Sequence, residues 1–158
     1  MDERDLLREA VRLAVANADA GQLPFGALVV HGGNVVATGV NTALRDQDPT
    51  AHAEVAAIRA ACRTLGTLDL GGATVMSSCE PCVLCHSAAA VARVGRIVYA
   101  AAKEDVPDLG YPATLDPTDL LGRMQAAARG LAPEQIVHLP TDGAAEPFRR
   151  YRQGRAAA

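Results

Sequence analysis

The chain has 158 residues, 49% of them hydrophobic, and a formal net charge of −3, the size and composition of one ordinary domain with a sizeable core, so residues 1–158 read as a single domain. The N-terminus, Met1-Asp2-Glu3-Arg4-Asp5, is charged, and no apolar stretch approaches the length that spans a bilayer, which excludes a signal peptide and a membrane anchor and predicts a cytoplasmic protein. The negative balance argues against a surface built to hold a nucleic-acid backbone.

Leu6, Leu7, Ala10, Val11, Ala14 and Val15 recur at helical spacing and predict an amphipathic helix from Glu3 to Ala18, ended by Gly21. Phe25 to Val30 and Asn34 to Val40 are β-rich runs joined across Gly32-Gly33, a hairpin signal. Asp48-Pro49-Thr50 starts a helix expected from Ala51 to Leu65, with Gly66 as its stop. Ala73 to Ser77 reads as a third strand, Pro81 to Ala92 as a helix and Arg96 to Ala101 as a fourth strand. Beyond Ala102, Pro107, Gly110, Pro112 and Pro117 punctuate a surface loop. A helix from Pro117 to Arg129, a short strand from Gln135 to Leu139 and a helix from Ala145 to Gln153 follow, with the tail Arg155 to Ala158 frayed. This alternation predicts an α/β fold, a three-layer α/β/α sandwich around a mixed five-stranded sheet.

Chemistry concentrates in His52-Ala53-Glu54 and Pro81-Cys82-Val83-Leu84-Cys85. One imidazole and two thiolates supply three zinc ligands and leave the fourth tetrahedral position for water. Cys82 and Cys85 are three apart, so a helix opened by Pro81 carries both sulfurs on one face of its first turn. His52 and Glu54 reach the same point if their helix aims its first turn at the metal, and two helix N-termini at one spot favour thiolate and hydroxide. Zinc brings the proton loss of its water close to neutral pH, and a carboxylate beside the metal can take that proton and pass it on.

The alternative is a closed structural site, with Cys79 joining Cys82, Cys85 and His52. That arrangement gives Glu54 no role. Four cysteines in a chain without a secretory segment fit metal binding in a reducing compartment better than disulfides. Cys62, His31 and His138 read as structural residues, and His86 has no place in the metal set. Arg149, Arg150, Arg152 and Arg155 form the basic cluster, read as a solvated face although it keeps an RNA partner in view.

The pairing of H-x-E with P-C-x-x-C is the signature of zinc-dependent nucleobase deaminases, and the chain resembles the cytidine deaminase-like superfamily. Pro24-Phe25-Gly26-Ala27, Asn41, the run from Asp48 to Glu54 and Ser78-Cys79-Glu80-Pro81-Cys82 resemble its bacterial guanine deaminase branch, over roughly Leu23 to Ala101. Bacterial tRNA adenosine deaminases share much of this pattern. The resemblance implies a Zn2+ enzyme releasing ammonia from a nucleobase, nucleoside or related amino-substituted heterocycle, with His52, Cys82 and Cys85 as metal ligands and Glu54 as the catalytic proton carrier. It implies substrate contacts from Asn41, Phe25, Ala53, Tyr111 and Phe148. It also implies a homodimer, with segment 145–158 near the active site or on a partner protomer.

Guanine deaminase-like chains place an acid directly after a Gly-aromatic pair, to help protonate the leaving amine. Here the stretch is Gly110-Tyr111-Pro112-Ala113, so Asp105, Asp108 or Asp116 stands in, or Glu54 works alone on another ring. The expected substrate is therefore a free heterocyclic base or nucleoside other than guanine, with no action on tRNA. Guanine deaminase proper, tRNA adenosine deaminase and a non-catalytic structural zinc module are the alternatives.

Overall fold

The computed structural model describes residues 2–110, 120–130 and 135–157. Helix α1 (Glu3–Asp19) leads into the strands β1 (Gly26–His31) and β2 (Asn34–Val40), then a short helix α2 (Ala43–Asp46) and the longer α3 (Ala53–Leu65). Next come β3 (Thr74–Cys79), α4 (Val83–Val91), β4 (Arg96–Ala101) and a single 3-10 turn (Lys103–Asp105). Helix α5 (Leu120–Arg129), strand β5 (Ile136–His138) and helix α6 (Glu146–Ala156) follow.

The strands form one five-stranded sheet in the order β2-β1-β3-β4-β5. β1 runs antiparallel to β2 and β3, while β3-β4 and β4-β5 are parallel, so the sheet is mixed. Strand alternation sends Val75 to one face and Met76 to the other. On the first face Val75 joins Ala27, Val29 and Ile97 against Ala53, Ala57, Ile58 and Ala61 of α3 and Ala89 of α4. On the second face Met76, Leu28 and Val98 meet Leu6, Leu7, Ala10 and Val11 of α1. Helix α6 packs on α1 and α5 on α4, which completes the three-layer α/β/α sandwich expected from the alternation.

Glycine sets how closely the metal-bearing helix approaches the sheet. A Cβ on Gly39 of β2 would lie 2.4 Å from both Ala53 O and Ala57 N, so α3 rests directly on the β2 backbone. Gly26 does the same for α1, where a Cβ would stand 2.6 Å from Ala10 O.

Several boundaries differ from the sequence expectation. α3 and α4 each begin two residues later than predicted, because His52 (φ −75°, ψ 154°) and Cys82 (φ −77°, ψ 173°) are extended N-cap residues. Asp48 does not cap α3; its carboxylate accepts from Thr50 N and Thr50 Oγ1 in a local turn. α2 was not expected, since one turn has no readable period. α6 runs on to Ala156 rather than ending at Gln153, and Arg155 lies over the Tyr151 ring at 5.7 Å, a stacking one helical turn apart that holds the expected frayed tail in the helix. The start of the predicted helix at Pro117 lies outside the described residues.

Candidate active site

Two helix N-termini and the end of β3 converge on one point. The extended N-cap conformation throws the side chains of His52 and Cys82 off the ends of α3 and α4 instead of along their flanks. Cys85 follows within the first turn of α4, and Glu54 is the second residue of α3. The His52 Nδ1 atom lies 3.5 Å from each of Cys82 Sγ and Cys85 Sγ, and the two sulfurs are 3.7 Å apart. Tetrahedral zinc with its usual Zn–S and Zn–N bond lengths requires S···S of about 3.8 Å and S···N of about 3.6 Å. The triangle therefore fits zinc without rearrangement. Among the described residues these three form the metal-binding group, and Cys79 is not in it.

The protonation pattern agrees with a metal site. Cys82 is held down to about 3 by a hydrogen bond from Cys85 and by His52. Cys85 is held up by its bond to Cys82, by burial and by the Glu54 carboxylate. His52 is raised chiefly by its hydrogen bond to Cys82. A zinc ion entering this triangle must displace the protons on Cys85 and His52. Cys79, by contrast, is buried beside Ala101 and Phe148, and burial pushes its thiol up to about 12. All four cysteines are free thiols.

Glu54 is buried, with Oε2 3.2 Å from Cys85 Sγ and Oε1 2.8 Å from Ser77 Oγ. It stands beside the metal triangle, facing a cavity of about 490 Å³. Leu23, Phe25, Asn41, Glu80, Lys103 and Asp108 are among the residues of its wall. Asn41 is fixed by two helices. Its Oδ1 accepts from Ala43 N, and its carbonyl accepts from Asn17 Nδ2 of α1. The amide is thereby oriented with Nδ2 as the donor left over, for which no acceptor is found among the described residues.

The other expected contacts are distributed differently. Phe25 is on the cavity wall, and Phe148 is buried behind it, with the rings edge to face at 6.0 Å. Ala53 is fully buried at the start of α3, against β2. Tyr111 and Asp116 lie outside the described residues. Of the remaining acids, Asp105 accepts from Ala102 N to close the 3-10 turn, whereas Asp108 lines the cavity and accepts from Gly110 N. His86 lines a second concavity, of about 420 Å³, between α4, α5 and β5, and is not in the metal-binding group. His138 stacks on Tyr99 at 4.9 Å, as a structural residue would.

Two features escape a reading of the sequence. Ser77 reaches Glu54 from β3, where it is the first of two adjacent serines and no linear signal singles it out. The second is a latch on the far wall. Arg129 of α5 makes two bonds to Glu80, Nε to Oε1 at 2.6 Å and Nη2 to Oε2 at 2.7 Å, and also bonds Glu104. Gln125 Nε2 donates to the Pro81 carbonyl. Burial alone would raise the Glu80 carboxyl, but hydrogen bonds from Arg129 and the Lys103 amide outweigh it and hold it below the usual carboxylate range.

Comparison with known proteins bears on this geometry. The family model of the cytidine and deoxycytidylate deaminase zinc-binding region matches residues 1–101. A guanine deaminase of Bacillus subtilis is 42% identical over 112 residues, covering 70% of this chain and 72% of that protein. A crystal structure of guanine deaminase from Bacillus subtilis, 36% identical, superposes with a TM-score of 0.67, covering 80% of this chain and 94% of that one. A tRNA-specific adenosine deaminase of Aquifex aeolicus is 35% identical over 101 residues, 64% of this chain and 67% of that protein. A tRNA(Ile)-lysidine synthase of Deinococcus deserti is 39% identical over 148 residues, 93% of this chain, but the chain spans only 27% of that protein's length. With the triangle of His52, Cys82 and Cys85 fitting the metal that this family binds, the chain belongs to the cytidine and deoxycytidylate deaminase zinc-binding family and is a zinc-dependent deaminase.

Proposed function

We propose that this single domain hydrolyses the exocyclic amine of a free nucleobase, nucleoside or related heterocycle, releasing ammonia. One observation carries the reading: a three-ligand triangle of zinc dimensions with the Glu54 carboxylate alongside, open to a cavity of about 490 Å³. His52 through Nδ1, Cys82 and Cys85 would hold the metal. Bound there, zinc makes water a hydroxide donor near neutral pH. Glu54 takes one proton from water and delivers it to a ring nitrogen; as the amine leaves, Glu54 takes the second proton from the hydroxyl now on the ring carbon and passes it to the departing ammonia. Asn41 Nδ2 donates to an acceptor on the ring, and Phe25 covers an apolar ring face.

Asp108 is the acid that supports a substitute for the one missing after Tyr111, since it lines the cavity and Asp105 does not. Its bond to Gly110 N leaves Oδ2 to meet a substrate N–H. The preferred substrate remains a base or nucleoside other than guanine. Guanine itself is the second reading, favoured by Asp108 and by the likeness to the Bacillus subtilis enzyme. Action on tRNA is not expected. Within the arginine cluster, Arg149 pairs with Glu146 and Arg150 with Asp19, so acids already meet two of the four charges, and Arg155 lies over the Tyr151 ring.

A cytoplasmic location fits four free thiols, and no helix among the described residues is long and apolar enough to cross a membrane. A homodimer would cover Val91 and Leu68, which are 85% and 84% exposed. Segment 145–158 belongs to its own chain in this reading, as α6 packs on α1. The test is ammonia release by the purified zinc protein from amino-purines, amino-pyrimidines, triazines and pterins, with a tRNA control. Turnover of a free heterocycle is expected; guanine first by tenfold or more would move the reading to guanine deaminase, and inosine formation in tRNA would overturn it.

A further inference from the structure

Ser77 sits on the floor of the site with 1% of its surface exposed, and it does something the metal ligands cannot. Its Oγ lies 2.8 Å from Glu54 Oε1 and 2.7 Å from the carbonyl oxygen of Cys79. Both neighbours are acceptors, and a hydroxyl has one proton to give. The Cys79 carbonyl alone would satisfy a serine that merely closes the end of β3. The second acceptor needs another account.

That account comes from the opposite carboxylate oxygen. Glu54 Oε2 faces Cys85 Sγ at 3.2 Å, on the metal side, so the bond to Ser77 anchors one oxygen and aims the other. A glutamate has three side-chain torsions, and α3 alone fixes none of the outer ones. Proton transfer is sensitive to such aim, since a misplacement of about 1 Å costs on the order of 10²-fold in rate.

We propose that Ser77 is a positioning residue for deamination: its hydroxyl holds Glu54 Oε1 against β3, so that Oε2 is the oxygen presented to water and ring. Protonation at Oε2 leaves Oε1 a carbonyl oxygen that still accepts from Ser77, so the bond to Glu54 persists through both halves of the proton transfer. No covalent bond to Ser77 forms or breaks. The assignment rests on Glu54 being the proton carrier in the reading above.

The test compares Ser77→Ala and Ser77→Thr in the zinc-loaded protein, using whichever panel substrate releases ammonia fastest. Ser77→Ala is expected to keep one zinc per chain and, with cobalt(II) in its place, an unchanged visible spectrum. Its KM should stay within about twofold while kcat falls about 10–100-fold. Ser77→Thr restores most of kcat; should the extra methyl prove too large for this site, the alanine variant decides alone. Adding Ser77→Ala to Glu54→Gln should cost no further activity, because the residue acts through Glu54. The same cycle, read as thermal unfolding of the zinc-free protein, should also be non-additive. Wild-type kcat in Ser77→Ala, a rise in KM alone, loss of zinc, or additive unfolding shifts would overturn the proposal. A wild-type protein that releases no ammonia would sink the deaminase reading instead, and the unfolding cycle would still report whether Ser77 and Glu54 are coupled.

Discussion

Helix α3 meets the sheet through Ala53, Ala57, Ile58 and Ala61, all buried and apolar, whereas α5, across the cavity, buries only Gln125 among its described residues. The first wall carries His52 and Glu54 and is locked by backbone contact at Gly39. The second is held by polar side chains: Gln125 to Pro81, and Arg129 to Glu80 and Glu104. Close packing tolerates little displacement, while hydrogen-bonded attachments open at lower free energy. The comparison teaches that this site has one half fixed by close packing, which carries His52 and Glu54, and one half attached by polar side chains.

The sharpest way to break the close-packed half is through its ligands. Cys82→Ser should abolish both zinc binding and turnover, while Cys79→Ser keeps one zinc per chain, as measured by metal analysis after gel filtration. Equal metal loss in both variants would make the site a closed structural one. Gly39→Ala comes next. Its methyl would collide with the α3 backbone at 2.4 Å, so a destabilisation of about 3 kcal/mol, at the upper end of ordinary overpacking costs, is expected in urea unfolding, with weakened zinc affinity.

The half attached by polar side chains should respond differently. Arg129→Ala strips the Glu80 side chain, which is 2% exposed, of its two-bond partner and leaves it the Lys103 amide. Because Arg129 is itself 43% exposed, the stability cost should be modest, about 1–2 kcal/mol. KM should rise several-fold with zinc content unchanged; a loss of zinc instead would show that the two walls are not independent.

The smallest effect expected is on pH dependence. Hydrogen bonding to Cys82 raises the pKa of His52, and Cys85 is also held up, so protons compete with zinc at both ligands. Apparent zinc affinity should therefore increase as pH rises through the imidazole range, between about pH 6 and 8. In the zinc-free protein the sign reverses. A raised His52 pKa contributes stability that is present below its unfolded value and lost as pH rises through the folded one. Titration with a chromophoric chelator and thermal unfolding without metal check the two directions; identical slopes would contradict the assignment.

The same division separates what could be read in the sequence from what could not. His52, Glu54, Cys82 and Cys85 were legible because metal chemistry fixes residue type and local spacing together. The sheet and the principal helices followed from periodicity, and the hairpin from Gly32-Gly33. Helix starts were misplaced by two residues because an N-cap histidine or cysteine carries none of the usual capping chemistry. Phe25 and Phe148 could not be told apart as wall and backing, since a half-buried and a buried phenylalanine look alike in the sequence and only the layer order separates them. Ser77 and the Arg129–Glu80 latch depend on strand register and on loops that return to the sheet, which no local pattern encodes, and the same loops decide that Asp108 rather than Asp105 lines the cavity.

The account stands on zinc being catalytic and on Glu54 being its proton carrier. Glu54→Gln tests both at once, with zinc content and ammonia release measured on the same sample against wild type. An intact zinc site with one zinc per chain, and ammonia release slowed by about 10²–10⁴-fold, is the predicted result. Turnover within a few-fold of wild type would place the proton relay elsewhere and contradict the account.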